Sequence, residues 1–128
     1  MVQKITEGVS VSVDTFYQPA QSNAMKPEHV FVYRITIENQ TPHPIKVQRR
    51  HWIIVDSNGI TKEVEGEGVV GRKPVIEPGA SYQYISSTLI VTDIGKMYGT
   101  YEVTNLYNRK NFKVAIPEFP LVYPYKLN

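Results

Sequence analysis

The residues best able to do chemistry in this chain lie between Glu63 and Pro74. Gly66, Gly68 and Gly71 stand in a G-x-G-x-x-G spacing, followed directly by Arg72 and Lys73. That spacing marks a dinucleotide site only where a strand precedes it and a helix opens at the glycines. Pro74, Pro78 and Gly79 occupy the segment where the helix would run, and no Gly-Lys-Ser/Thr follows, so neither a Rossmann nor a Walker reading holds. Two readings survive. The loop is a nest of backbone N–H groups able to hold a phosphate, favoured by Arg72 and opposed by Glu67. Alternatively, it is a turn that packs Val69 and Val70 inward or offers them to a partner. Gly66, Gly68, Val69, Val70, Gly71 and Arg72 are the candidate ligand or partner loop.

The basic candidates are Arg49, Arg50 and His51, beside Lys46 in the densest run of positive charge. Strand alternation sends Arg49 and His51 to one face and Arg50 to the other, which splits the run and leaves an arginine to pair with Glu63 or Glu65 across a hairpin. His29, His43 and His51 fall in different elements without metal-ligand spacing, so no metal or cofactor site is assigned. Glu63, Glu65 and Glu67 share one strand face that could attract a hard cation or simply face solvent. Asp56-Ser57-Asn58-Gly59 lacks the later ligands of a calcium loop and reads as a turn. No nucleophile elbow or Ser, His, Asp arrangement suggests a catalytic residue.

These groups need a scaffold, and the patterning describes strands. Val9, Val11 and Val13 alternate with polar residues, as do Phe31, Tyr33, Ile35 and Ile37, the period-two signature of half-buried strands. Tyr17 to Glu28 is a polar, proline-bounded loop. A longer strand runs from Ile45 to Ser57, with Trp52 and Ile54 on one face and Arg49, His51, Ile53 and Val55 on the other, which leaves open whether it is buried on both sides toward its end or bulges. Asn58-Gly59 predicts a two-residue type I′ hairpin turn leading into Ile60 to Glu65, and Glu77-Pro78-Gly79-Ala80 predicts a type II turn before Tyr82 and Tyr84. Ser86 to Lys96 is less regular and ends in a loop at Thr92 to Gly95. Gly99, Tyr101 and Val103 pair with Phe112, Val114 and Ile116 as a terminal hairpin, followed by an extended tail over residues 118–128.

Nine prolines and nine tyrosines spread among valines and isoleucines fit this plan. The fold class is all-β, an immunoglobulin or fibronectin type III-like sandwich of roughly seven to eight strands, in a single domain over residues 1–128. Tyr33, Ile35, Ile37, Trp52, Tyr101, Val103, Phe112 and Val114 are its expected core. A net charge of +2, from 14 basic and 12 acidic residues, is too weak to imply nucleic-acid binding. The absence of cysteine fits a reducing cytoplasm. No run approaches the roughly 18 apolar residues of a membrane span, so a cytoplasmic location without a membrane span is expected.

The residues also match a family. Arg50-His51-Trp52, Asp56 to Gly59, Glu63-Val64, the run Gly66 to Gly71, Pro74, Pro78-Gly79, Tyr84, Met97 to Tyr101, Phe112 and Ile116-Pro117 resemble the ApaG domain in order and spacing over nearly the whole chain. Ser87 departs from it, standing where that family often has glycine. The resemblance implies a fibronectin III-like sandwich and a bacterial cytoplasmic protein linked by name to cobalt and magnesium efflux, with no known catalytic residue. Similar domains look like interaction modules in an F-box ubiquitin-ligase subunit and a polymerase-delta-interacting protein. The expected function is therefore non-enzymatic protein binding, as an accessory to cobalt or magnesium efflux, with an unidentified protein partner. The alternative is phosphate, pyrophosphate or nucleotide binding through the glycine loop.

Overall fold

The computed structural model describes residues 1–127 and contains nine strands and no α-helix among them. One sheet has the order β1-β2-β3-β7, from β1 (Val2–Thr6), β2 (Val9–Tyr17), β3 (His29–Asn39) and β7 (Ser81–Ile90). The other has the order β5-β4-β8-β9, from β4 (Ile45–Asp56), β5 (Thr61–Glu67), β8 (Ile94–Asn105) and β9 (Asn111–Val122). The two-residue β6 (Val75–Ile76) pairs with the start of β4, and every pairing is antiparallel. The result is an all-β sandwich.

Alternation fills the space between the sheets. Val9, Val11 and Val13 of β2 and Phe31, Tyr33, Ile35 and Ile37 of β3 face Trp52, Ile54, Tyr101, Val103, Val114 and Phe119 from the other sheet, all buried. Trp52 lies edge-on to Tyr33 at 5.4 Å and to Phe119 at 5.9 Å between ring centroids. Edge-to-face contacts of this kind add to the area term. Of the expected core, seven side chains are buried and Phe112 is half-buried against the cluster.

The strand carrying the candidate residues does bulge. Val47 pairs with Val103 and Arg49 with Glu102, so Gln48 is the extra residue. Ile45 and Val47 point inward before it, and Arg50, Trp52, Ile54 and Asp56 share the inward phase after it. A bulge of this kind switches the buried parity of a strand without ending its pairing.

Four expectations are corrected. Asn58-Gly59 is not a type I′ turn, because only Gly59 has positive φ. The Gly59 N–H bonds the Asp56 carbonyl and the Asp56 N–H bonds that of Ile60, giving a three-residue loop whose glycine takes the left-handed position. The two-residue turn with both φ values positive is instead Glu7-Gly8, which joins an unforeseen β1 to β2. The irregular stretch is strand through Ile90, and β8 already begins at Ile94. Residues 118–122, read as tail, continue β9 past an irregularity at Pro117, and Phe119 and Leu121 enter the core. Proline has no N–H for the ladder, which suits it to such a break. The type II turn stands: Gly79 has φ 79° and the Ala80 N–H bonds the Glu77 carbonyl.

Candidate functional site at the Gly68 turn

β5 and β6 pair along the same edge of β4, and the Gly68–Lys73 segment connects them opposite the Gln48 bulge. The Gly68 N–H donates to the Gln48 carbonyl at 2.7 Å. Val69 and Arg72 then exchange N–H to carbonyl bonds at 2.7 and 3.1 Å, closing a tight turn. Three of the amides that a phosphate nest would need are thereby occupied. Those of Val70 and Gly71 have no backbone acceptor among the described residues.

The two valines part company. Val69 is completely buried in the core, whereas Val70 sits at the turn tip with 58% of its surface exposed and a φ of +47°. A β-branched residue in the left-handed region is strained. Gly68 also has positive φ, +63°, and a Cβ built there would lie 2.1 Å from the Arg72 carbonyl oxygen. Gly66 is a different case. Its φ is ordinary, but the Arg50 guanidinium lies over it, 2.8 Å from where a Cβ would be.

Arg50 braces the turn from within. Its Nη1 donates to the carbonyls of Glu67 and Gly68, each at 3.1 Å. Arg49, on the outer face, pairs with Glu67 rather than with Glu63 or Glu65, because the three-residue loop at 57–59 fixes a β4–β5 register that sets Glu67 directly across from it. Lys73 binds the other oxygen of Glu67 at 2.9 Å. The Lys73 bond foremost, with the charge of Arg49, holds the Glu67 carboxyl below its ordinary range. Arg72 is exposed.

His51 faces outward opposite Glu65, and its Nε2 lies 3.6 Å from a carboxylate oxygen of Glu63 and 3.6 Å from one of Glu65. That nitrogen is shielded from solvent and has no hydrogen-bond partner among the described residues. The three ligand atoms lie within 4.8 Å of one another, a spread that a divalent cation of borderline hardness could span with a neutral imidazole. A protonated His51 would make the same trio an ion pair. Both carboxylates are exposed, and the geometry fits either state. Sequence spacing missed the trio because cross-strand register, not separation along the chain, brings His51 to Glu65. His29 is buried between Tyr17 and Asp93, and His43 stacks on Tyr107, so neither joins it.

The ApaG domain family model matches residues 19–105, which contain all of this geometry. The chain belongs to the ApaG domain family. ApaG of Pseudomonas aeruginosa is 45% identical over 116 residues, covering 91% of each chain. ApaG of Brucella suis is 40% identical over 124 residues, covering 97% of this chain and 95% of its own. Among solved structures, the ApaA protein of Bordetella pertussis superposes with a TM-score of 0.87 at 41% identity, covering 91% of this chain and 94% of that one. An Archaeoglobus fulgidus protein at 12% identity and a TM-score of 0.52, covering 87% of this chain and 94% of its own, shares the fold alone. The ApaG names state no reaction. No helix of the described residues is long and apolar enough to cross a membrane.

Proposed function

We propose that this ApaG-family protein is a non-enzymatic protein-binding module whose contact surface is the sheet edge formed by β5, the Gly68 turn and β6. The observation that carries the reading is Val70: a strained, β-branched apolar side chain held outward at the tip of a turn that four hydrogen bonds and a buried neighbour fix in place. Strained conformations persist where the surroundings over-determine them, and they concentrate at working surfaces. Val64 and Val75 flank the turn on β5 and β6 and are also exposed, which gives the edge an apolar character broken by Lys62, Glu63, Glu65 and Glu67. Charges on an edge strand discourage indiscriminate strand pairing while leaving side-chain contacts available. An accessory part in cobalt and magnesium efflux, which the family resemblance implies, would run through such a contact.

The test is capture from the source cell with wild-type protein and with Val70→Asp, quantified protein by protein. A partner retained by wild type and lost from a Val70→Asp variant of unchanged melting temperature supports the reading. Retention of every captured protein by the variant refutes it. Phosphate or nucleotide binding at the same turn has less to recommend it, since the Gly68, Val69 and Arg72 amides are already taken by backbone carbonyls.

A further inference from the structure

The sandwich is open along one side, where the edge strands β5 and β7 of the two sheets leave a cleft of about 220 Å³. Its floor is apolar, made by Trp52, Ile54 and Met97. Its polar lining comes from Arg50 and Lys62 on one sheet and from Tyr33, Ser86, Ser87 and Thr88 on the other. Two cations and the hydroxyl-bearing side chains of Tyr33, Ser86 and Thr88 share the inward phase, and no carboxylate is among the lining residues.

Arg50 enters the cleft because the Gln48 bulge turns it inward, in phase with Trp52. There its charge meets no counter-ion among the described residues. It forms no ion pair among the described residues, and its hydrogen bonds run from Nη1 to two neutral carbonyls. The nearby carboxylates lie on the outer face of the sheet, Glu67 paired with Arg49 and Lys73, and Glu63 and Glu65 beside His51. Tyr33, Tyr84 and Tyr101 feel the Arg50 charge, but burial raises the pKa of all three, so each stays a neutral phenol and none serves as phenolate counter-ion. Lys62 spans the mouth, donating from Nζ to the Leu89 carbonyl on β7 at 3.2 Å, and it too forms no ion pair among the described residues. A guanidinium partly removed from water favours an anion that can take paired N–H donors.

We propose that this cleft binds a small organic anion, a carboxylate or phosphate group carried on a compact apolar body, with Arg50 as its counter-ion, Lys62 closing over it and the apolar body resting on Trp52 and Met97. The site differs from a glycine nest, because it uses side chains between the sheets rather than turn amides. It does not use Val70, although Arg50, Lys62 and Val64 border both the cleft and the β5 edge.

The test is amide and arginine Nε–H chemical-shift mapping with benzoate, phenyl phosphate and neutral benzyl alcohol as probes. The two anions should shift the Arg50 Nε–H signal and the amides of Val64 and Ser86 to Thr88, with affinities of order 1 mM as expected for such small ligands. Because Arg50 also braces the Gly68 turn, the variants are chosen elsewhere. Thr88→Glu places a competing carboxylate on the inward face of β7, and Lys62→Gln removes the second charge. Thr88→Glu should weaken both anions roughly tenfold or more and Lys62→Gln by about threefold, since charge-assisted bonds supply most of the attraction. Equal binding of benzyl alcohol, or no shift at these positions with about 20 mM of either anion, where a weak millimolar ligand would be bound, overturns the proposal. Unchanged affinity in a folded Lys62→Gln or Thr88→Glu protein also overturns it.

Discussion

Single residues in this protein divide by what their neighbours demand of them. Trp52 is 2% exposed and wedged edge-on between Tyr33 and Phe119, so truncation empties the centre of the sandwich. Trp52→Ala should cost about 3–5 kcal/mol, read from the urea midpoint, as large aromatic deletions in cores do. The two neighbouring glycines of the turn make a sharper comparison. At Gly68 an added Cβ meets a backbone carbonyl and the φ is left-handed, so Gly68→Ala should destabilise by about 2 kcal/mol or more. At Gly66 the Cβ meets only the end of the Arg50 side chain, which can swing aside, so Gly66→Ala should cost about 1 kcal/mol. Equal losses in the two variants would mean that the Arg72 carbonyl yields as readily as a guanidinium. Val70 shows what sequence could pose without deciding: paired valines at a glycine turn must go in or out, and here one does each.

At the scale of elements, strand existence and type followed from alternation, and most of the sandwich was legible on that ground. β4 shows where the reading stopped. Its two candidate faces could be written down, but a bulge residue such as Gln48 has no compositional mark, and the choice between faces depends on the partner strand's register. The consequence for the candidate site is large, since the bulge sends Arg50 into the sandwich, while the length of the loop at 57–59 sets Arg49 across from Glu67. β1 was overlooked because most of its side chains are exposed and supply no buried periodicity. The Glu7-Gly8 turn beside it has a less familiar signature than Asn58-Gly59, where loop length, not dipeptide identity, set the turn type. The Gly68 turn yields a prediction of its own, because its amides differ in their acceptors. In hydrogen exchange followed by NMR, the Gly68 and Val69 amides should exchange at least about tenfold more slowly than those of Val70 and Gly71, which lack backbone acceptors. Uniformly fast exchange across the four would show that the turn is not held, and that Val70 is not presented in a fixed position.

Over the whole molecule, joining two sheets at the Trp52 layer carries three phenol groups into the interior. Tyr101 is fully buried and its hydroxyl bonds that of Tyr84, while Tyr33 lies nearby from the facing sheet. Burial foremost raises the pKa of each above the ordinary 10.0, with mutual repulsion among the phenolates adding to it at Tyr84 and Tyr101. In the unfolded chain these groups ionise near 10, whereas in the native protein they hold their protons to higher pH. Above that point the native state binds more protons than the unfolded one, so stability falls as pH rises. Below pH 10 the contribution is complete, and it is lost progressively as pH climbs toward the folded-state values. Melting temperature should therefore be flat with respect to these groups up to about pH 9 and drop steeply between about pH 10 and 11.5. The double variant Tyr84→Phe/Tyr101→Phe removes both hydroxyls together, leaving no orphaned partner, and should fall less over the same interval. If the double variant and wild type lose melting temperature in parallel from pH 9 to 11.5, the alkaline transition belongs to other groups, and the buried hydroxyl pair is not what links the packing of the two sheets to pH.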